Sequence, residues 1–555
     1  MPRDLIVGRI EETPMGAPSP LVYLIRERDV HPTAKPKFVF YHRKKVFPMS
    51  RSSGVLMHVT SLPGSHSIGC FGKEARDFID LLADCGFTWW QVLPFCMADD
   101  CNSPYKSYSA FGGNPYLVDL RILAADGYLT PDELASVKED TPYYCEFAKL
   151  AETRMDILRL AASRATGEDR TEIAKFAAEN PYLEQFCEFM ARRAANGDAP
   201  WYEWTSDEMD ETEHFTWQFI QYHFMKQWSA VRAYANGKGI RIMGDIPIYV
   251  AYDSCDVWAN RDQFQLDKDG RPTSVAGCPP DYFSEDGQLW GNPLYDWKRM
   301  KKDDFAWWSD RMRHMLTLFD GVRIDHFRGL ESYWSIPADA ATAKAGHWEK
   351  GPRAPFIKQL RAVVEECEAK LGYRPLIVAE DLGESTPELV KFVHDSGFPG
   401  MRVLQFAFDG DPANTHLPHN YVANTVAYTG THDNNTLLGF IWECDDSTRR
   451  DVLDYCGFTD ENWNRPESYD AIIRTLLRSV ADLAILPIQD ILGFGADCRM
   501  NTPGEAEGNW SFRVTADQLA SIDRYRFSRM NWLYGRRTAA DTAVKDTAVK
   551  DTAEE

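Results

Sequence analysis

No segment of the sequence offers about 18 uncharged apolar residues in a row, the length a helix needs to cross a hydrocarbon core. The opening stretch, "MPRDLIVGRIEETPMGAP", also lacks the continuous apolar segment of a secretory signal. A cytoplasmic, unanchored protein is expected. Paired-cysteine motifs are missing as well: twelve cysteines are scattered over 555 residues with no CxxC spacing, which reads as reduced thiols and not as a disulfide framework or a zinc site. Positive charge is in deficit, with 61 Lys and Arg against 83 Asp and Glu and a net charge of -22. That field repels a phosphate backbone, so nucleic acid is not expected as a partner.

What is present is a long, ordinarily apolar chain, 44% hydrophobic and 26% charged, with 17 Trp and 24 Tyr. Its length calls for a large domain with insertions or for several domains. Residues 1–50 hold two short β-prone runs, "LVYLI" and "KFVFYH", and read as an extension. At the other end, residues 521–555 form a C-terminal segment. It finishes in "DTAVKDTAVKDTAEE", a repeat without a large apolar face that is expected to be a disordered tail.

Between these ends, eight short apolar or β-branched runs recur, beginning at Gly54, Trp89, Gly239, Phe319, Pro375, Gly400, Asn424 and Leu483. Each closes on a turn or loop signal, and helical patterns such as "KEARDFIDLLADCG" lie between several of them. Eight strands alternating with helices predict an α/β fold, a (β/α)8 TIM barrel over residues 51–520. A bare barrel takes about 250 residues, so the surplus is expected in a helical insertion at about 97–238 and a loop insertion at about 251–318.

Barrel chemistry sits where strands end. Those ends carry Asp245 in "IMGDIP", Asp325 in "VRIDHF", Glu380 in "IVAEDLG", and His432 and Asp433 in "TGTHDN". One such acid is commonly a helix cap or a loop ion pair. Four at successive strand ends are costly unless paired or used. Two carboxylates facing one gap suit glycoside chemistry, in which one is charged and the other carries a proton. Alternation along a strand puts Arg323 and Asp325 on one face, so the guanidinium can favour the charged form of Asp325. Glu380 follows the apolar "LIVA" and adjoins only acidic Asp381, and both features favour its protonated form. A magnesium enzyme of the enolase kind also gathers strand-end acids, but Arg323 would repel the divalent cation. A non-catalytic glucan-binding protein would keep the aromatics without needing three acids at one mouth.

The strings "FDGVRIDHFRGLESYW", "LIVAEDLG", "YTGTHDNNT", "SPYKSYSAFGGNPYLVDL", "PPDYFSEDGQLWGNPLYDW" and "RMNTPG" followed by "GNWSFR" together resemble the 4-alpha-glucanotransferase (amylomaltase) family, glycoside hydrolase family 77, from about Gly54 to about Arg513. The resemblance implies an α-amylase-like barrel with inserted subdomains. The activity it implies is transfer of α-1,4-glucan segments between maltooligosaccharides or glucose, with glucans as donor and acceptor and no metal or organic cofactor. It also implies that Asp325 is the nucleophile, Glu380 the general acid/base and Asp433 the acid that orients sugar hydroxyls. Arg323, His432 and Asp245 are implied close to the sugar, with Tyr105 stacking on it. The aromatic loop brings Tyr282, Phe283, Gln288 and Trp290 as candidate sugar contacts, and Asn501 marks a rim loop. Asn114 and Tyr116 stand between a sugar contact and a simple turn, and His326 and Arg328 between packing and sugar contact. Phe512 stands where the family pattern leads us to expect a second Trp, and Glu505 also departs from it.

Overall fold

The computed structural model describes residues 51–97, 101–280, 285–505 and 507–537. The extension at 1–50 and the "DTAVK" tail lie outside the described residues, as do Tyr282 and Phe283. Eight parallel strands close into a barrel: β1 (Ser52–Leu56), β2 (Trp89–Gln91), β3 (Arg241–Ile246), β4 (Gly321–Ile324), β5 (Leu376–Ala379), β6 (Gly400–Val403), β7 (Thr425–Tyr428) and β8 (Leu483–Pro487). Each falls on one of the eight apolar runs. Strands β1, β2, β4, β5, β7 and β8 are buried along their whole length, as parallel strands sheathed by helices must be.

The outer layer contains α1 (Lys73–Cys85), α2 (Glu211–Gly237), α3 (Ala306–Leu318), α4 (Arg353–Leu371), α5 (Pro387–Ser396), α6 (Pro466–Arg478) and α7 (Arg524–Leu533). Gly86 ends α1 in the left-handed region at φ 75°, the conformation glycine adopts without a side-chain penalty. Helix α7 packs on α1 and α6. Just beyond it, buried Arg536 donates to the carbonyls of Ser52 on β1 at 2.7 Å and Leu477 on α6 at 2.6 Å, tying β1 to the helix that precedes β8.

Three features depart from a simple repeat. The span between β2 and β3 holds Phe147–Ser163, Gly167–Glu179 and Pro181–Ala195 as further helices, packed on the long α2. The span between β3 and β4, expected to be loop, ends in the thirteen-residue α3. It also supplies two strands, Ser274–Cys278 and Gln288–Pro293, to a four-stranded antiparallel sheet completed by Ser332–Pro337 and His347–Lys350. Finally, β6 is joined to β7 through two three-residue 3-10 turns, with no α-helix between them. No helix among the described residues is long and apolar enough to cross a membrane.

Candidate active site

The site begins inside the barrel. Asp245 on β3 and Arg323 on β4 are register partners, and both are almost wholly buried. Arg323 Nη1 donates to both Asp245 oxygens, at 2.9 and 2.7 Å, while its Nη2 donates to Asp325 Oδ1 at 2.7 Å. One guanidinium thus serves two carboxylates, and its Nε is directed at Met401 Sδ on β6 at 3.4 Å. Tyr105 closes the far side of Asp245, donating its hydroxyl to Oδ2 at 2.7 Å.

Asp325 and Glu380 leave neighbouring strands at one level. Ile324 and Ala379 are register partners, and the ladder continues as Glu380 N donates to the Ile324 carbonyl and Phe327 N to the Glu380 carbonyl. The two carboxyl-bearing residues therefore emerge side by side at the mouth. They differ in setting: the Asp325 side chain is 30% exposed, whereas Glu380 is buried. Burial pushes the Glu380 carboxyl up to about 8, with the charge of Asp325 adding to the rise; Arg323 and two backbone donors oppose it. Those donors are His326 N at 2.7 Å and Leu382 N at 2.8 Å.

His326 presents its N–H this way because its backbone is left-handed, at φ 47° and ψ 49°, an uncommon state for a residue with a side chain. Its partly buried ring meets Trp290 edge to face at 4.9 Å, and desolvation lowers its pKa to about 4, so it is neutral. Arg328 turns away from the acids, donating to the Glu384 carbonyl and lying over the Trp348 ring at 4.2 Å.

Across the mouth, Asp433 Oδ1 accepts from Asn501 Nδ2 at 2.7 Å, and its carbonyl accepts from Arg499 Nη2 at 3.0 Å. His432 Nε2 lies 3.3 Å from Asp433 Oδ2. The His432 ring stacks on Tyr105, with centroids 5.1 Å apart and planes at 15°, and Trp510 packs against both. Gln288 and Trp290 occupy the outer strand of the small sheet, with Trp290 Nε1 donating to Gln288 Oε1 at 3.0 Å. Asn114 caps a turn by accepting from Tyr116 N at 2.9 Å, so the turn explains that pair. Phe512 is buried and packs on Phe494.

Asp245, Arg323, Asp325, Tyr105, His432, Asp433 and Asn501 are thus linked by direct contacts, and Glu380 joins them through the strand ladder. Sequence reasoning missed Met401, Trp510, Arg499 and the His326 N–H. Only Trp510 and Arg499 had a signal, since both lie in the "RMNTPG" and "GNWSFR" strings. Among the described residues, no group of three or more His, Cys, Asp or Glu is arranged to hold a metal ion.

A parallel eight-stranded barrel with a guanidinium-paired carboxylate beside a buried, proton-holding one defines a glycoside-processing enzyme of the two-carboxylate class. The family model described as 4-alpha-glucanotransferase, glycoside hydrolase family 77, matches residues 57–518. The 4-alpha-glucanotransferase of Clostridium butyricum is 39% identical over 500 residues, covering 86% of this chain and 100% of that one. That of Synechocystis sp. is 42% identical over 510 residues, covering 88% and 98%. The structure of the amylomaltase from Streptococcus agalactiae in complex with acarbose superposes with a TM-score of 0.83 at 35% identity, covering 88% of this chain and 100% of that one. The chain belongs to the 4-alpha-glucanotransferase family.

Proposed function

We propose that the enzyme moves α-1,4-glucan segments between maltooligosaccharides, or onto glucose, by double displacement at Asp325 and Glu380. The observation that carries this reading is the contrast between the two neighbouring acids: Asp325 paired with Arg323 at 2.7 Å, and Glu380 buried with its pKa raised. Asp325 Oδ attacks the anomeric carbon as the glycosidic C–O bond breaks, and Glu380 gives its proton to the departing oxygen. Glu380, now a carboxylate, takes the proton from the 4-hydroxyl of an acceptor sugar. That oxygen displaces Asp325 with net retention. Asp433, held by Asn501 and His432, orients hydroxyls of the reacting sugar. Tyr105 forms a wall of that subsite, and Trp290 and Gln288 cover it from the small sheet, limiting access of water to the glucosyl-enzyme. The acarbose carried by the streptococcal structure is an oligosaccharide, in keeping with glucan donors and acceptors here. The scatter of the twelve cysteines without CxxC spacing is in keeping with a cytoplasmic setting.

Incubation with maltotriose and chromatography of the products tests the reading. Glucose together with a ladder of longer maltooligosaccharides is expected. Maltose and glucose without longer chains would mean hydrolysis. Asp325→Asn is expected to abolish turnover while still binding maltooligosaccharides; full activity would remove Asp325 from its role.

A further inference from the structure

We propose that Tyr202 and Tyr252 form an outer subsite that stacks on the distal glucose units of a long α-1,4-glucan whose reacting bond lies over Asp325; the inference rests on the glucan-transfer reading. The two rings lie face to face, with centroids 4.5 Å apart and planes at 8°. Tyr252 is the fixed partner: its hydroxyl donates to the Gly270 carbonyl at 2.8 Å, and its own carbonyl accepts from Trp201 Nε1 at 2.7 Å. Tyr202 meets Trp201 edge-on and Tyr252 with one face, yet remains 46% exposed. With one face taken by Tyr252 and an edge by Trp201, the second face of the ring is the one left to meet a sugar. A flat, rigid aromatic face backed by a second ring suits the apolar C–H face of a pyranose, and a tyrosine loses little side-chain entropy in binding it.

The platform is continuous with the site. Tyr252 lies seven residues beyond Asp245 on the same strand-and-loop segment, after Tyr249, whose ring centroid is 6.3 Å from that of Trp290. On the other flank, the Tyr202 hydroxyl senses the charge of Lys106, the residue following Tyr105. Asp253 ties the two flanks, accepting from Trp201 N at 3.2 Å and from Arg193 Nη1 at 2.6 Å. The Arg193 guanidinium in turn lies over Tyr108 at 4.6 Å. The tyrosine pair is thus built onto both segments that wall the reacting sugar. A chain too short to extend past those walls has no unit to lay on it.

The test is calorimetric binding of maltotriose and maltoheptaose to the Asp325→Asn protein, with and without Tyr202→Ala or Tyr202→Phe. Tyr202→Ala is expected to weaken maltoheptaose about two- to tenfold, the value of one aromatic stack, with a much smaller effect on maltotriose. Tyr202→Phe is expected to preserve affinity for both. Equal weakening of both sugars by Tyr202→Ala, or no weakening of either, overturns the subsite while leaving the transfer reading intact. Failure of the Asp325→Asn protein to bind either sugar, with no conversion of maltotriose by the unaltered enzyme, overturns both.

Discussion

Arg323→Met removes the one cation shared by Asp245 and Asp325. Asp245 is fully buried; without the guanidinium, the Tyr105 hydroxyl at 2.7 Å is the remaining partner the structure gives its carboxylate. Breaking a buried pair by deleting one member costs about 3–5 kcal/mol, because a charge is left uncompensated. That is a large part of a typical stability of about 5–15 kcal/mol. Deleting both charges, in Arg323→Met with Asp245→Asn, removes the stranded charge and is expected to recover most of the loss.

The pH dependence has a definite sign. In the single variant the folded-state pKa of Asp245 is raised further above its unfolded value of about 3.9. A group raised in this way carries no penalty where it is protonated in both states, and the penalty grows as pH rises through the folded value. Urea unfolding at pH 5, 6.5 and 8 should therefore show the deficit against wild type shrinking as the pH falls. Equal instability of the single and double variants, flat across that range, would refute the electrostatic account and leave Arg323 acting by shape alone.

Glu380 must hold its proton to act as acid, so kcat/KM is expected to fall on the alkaline side with a midpoint near 8; a fall below pH 6 contradicts the assignment. His326→Val places a β-branched residue where φ is 47°, which should withdraw the N–H from Glu380. Loss of a donor to the charged form raises its pKa, so the alkaline limb should move up. His326→Gly, which tolerates that backbone, should leave the limb in place, and identical limbs in the two variants would count against this role. In α2, neither ring nitrogen of buried His223 has a hydrogen-bond partner, and burial lowers its pKa to about 4. A depressed histidine supports the fold above its unfolded pKa of about 6.5 and loses that support as pH falls toward 4, a loss of about 2 kcal/mol by pH 5. His223→Leu should accordingly gain more stability at pH 5 than at pH 7.5 in thermal unfolding; a gain independent of pH would trace to packing.

The barrel was legible because buried parallel strands are written as unbroken apolar runs with turn signals at their ends, so "GVRI" and "LIVA" announced β4 and β5. The acids were legible because Asp325 and Glu380 end those runs where apolar residues would otherwise continue. The small sheet was not. Gln288–Pro293 and His347–Lys350 are short and largely exposed, and the pairing that joins the two hairpins runs between Ser274–Cys278 and Ser332–Pro337, far apart in the chain. Helix α3 was hidden by the Gly, Pro and aromatic residues of the span it closes. Met401 could not be read as a partner of Arg323, since nothing local in "GMRVLQF" shows which side chain crosses the barrel. The left-handed backbone of His326 was equally invisible, because histidine is not a residue that demands it.

The charge balance around Arg323 accounts for the way the acids on β3 and at the ends of β4 and β5 are held. With Asp325 ionised, as a nucleophile requires, Asp245, Arg323 and Asp325 sum to a single negative charge, and burial keeps Glu380 neutral beside them. One negative charge is what the oxocarbenium-like transition state calls for, since one positive charge develops at the anomeric carbon. Were Glu380 ionised as well, a second carboxylate would repel Asp325 at close range, and there would be no proton for the leaving oxygen. Were Arg323 unpaired from Asp245, its full positive charge would face the developing cation. Asp245 therefore contributes through Arg323: it consumes half of the guanidinium, leaving Arg323 able to orient Asp325 without cancelling its charge. The cost of burying that extra pair is the stability term that Arg323→Met would expose.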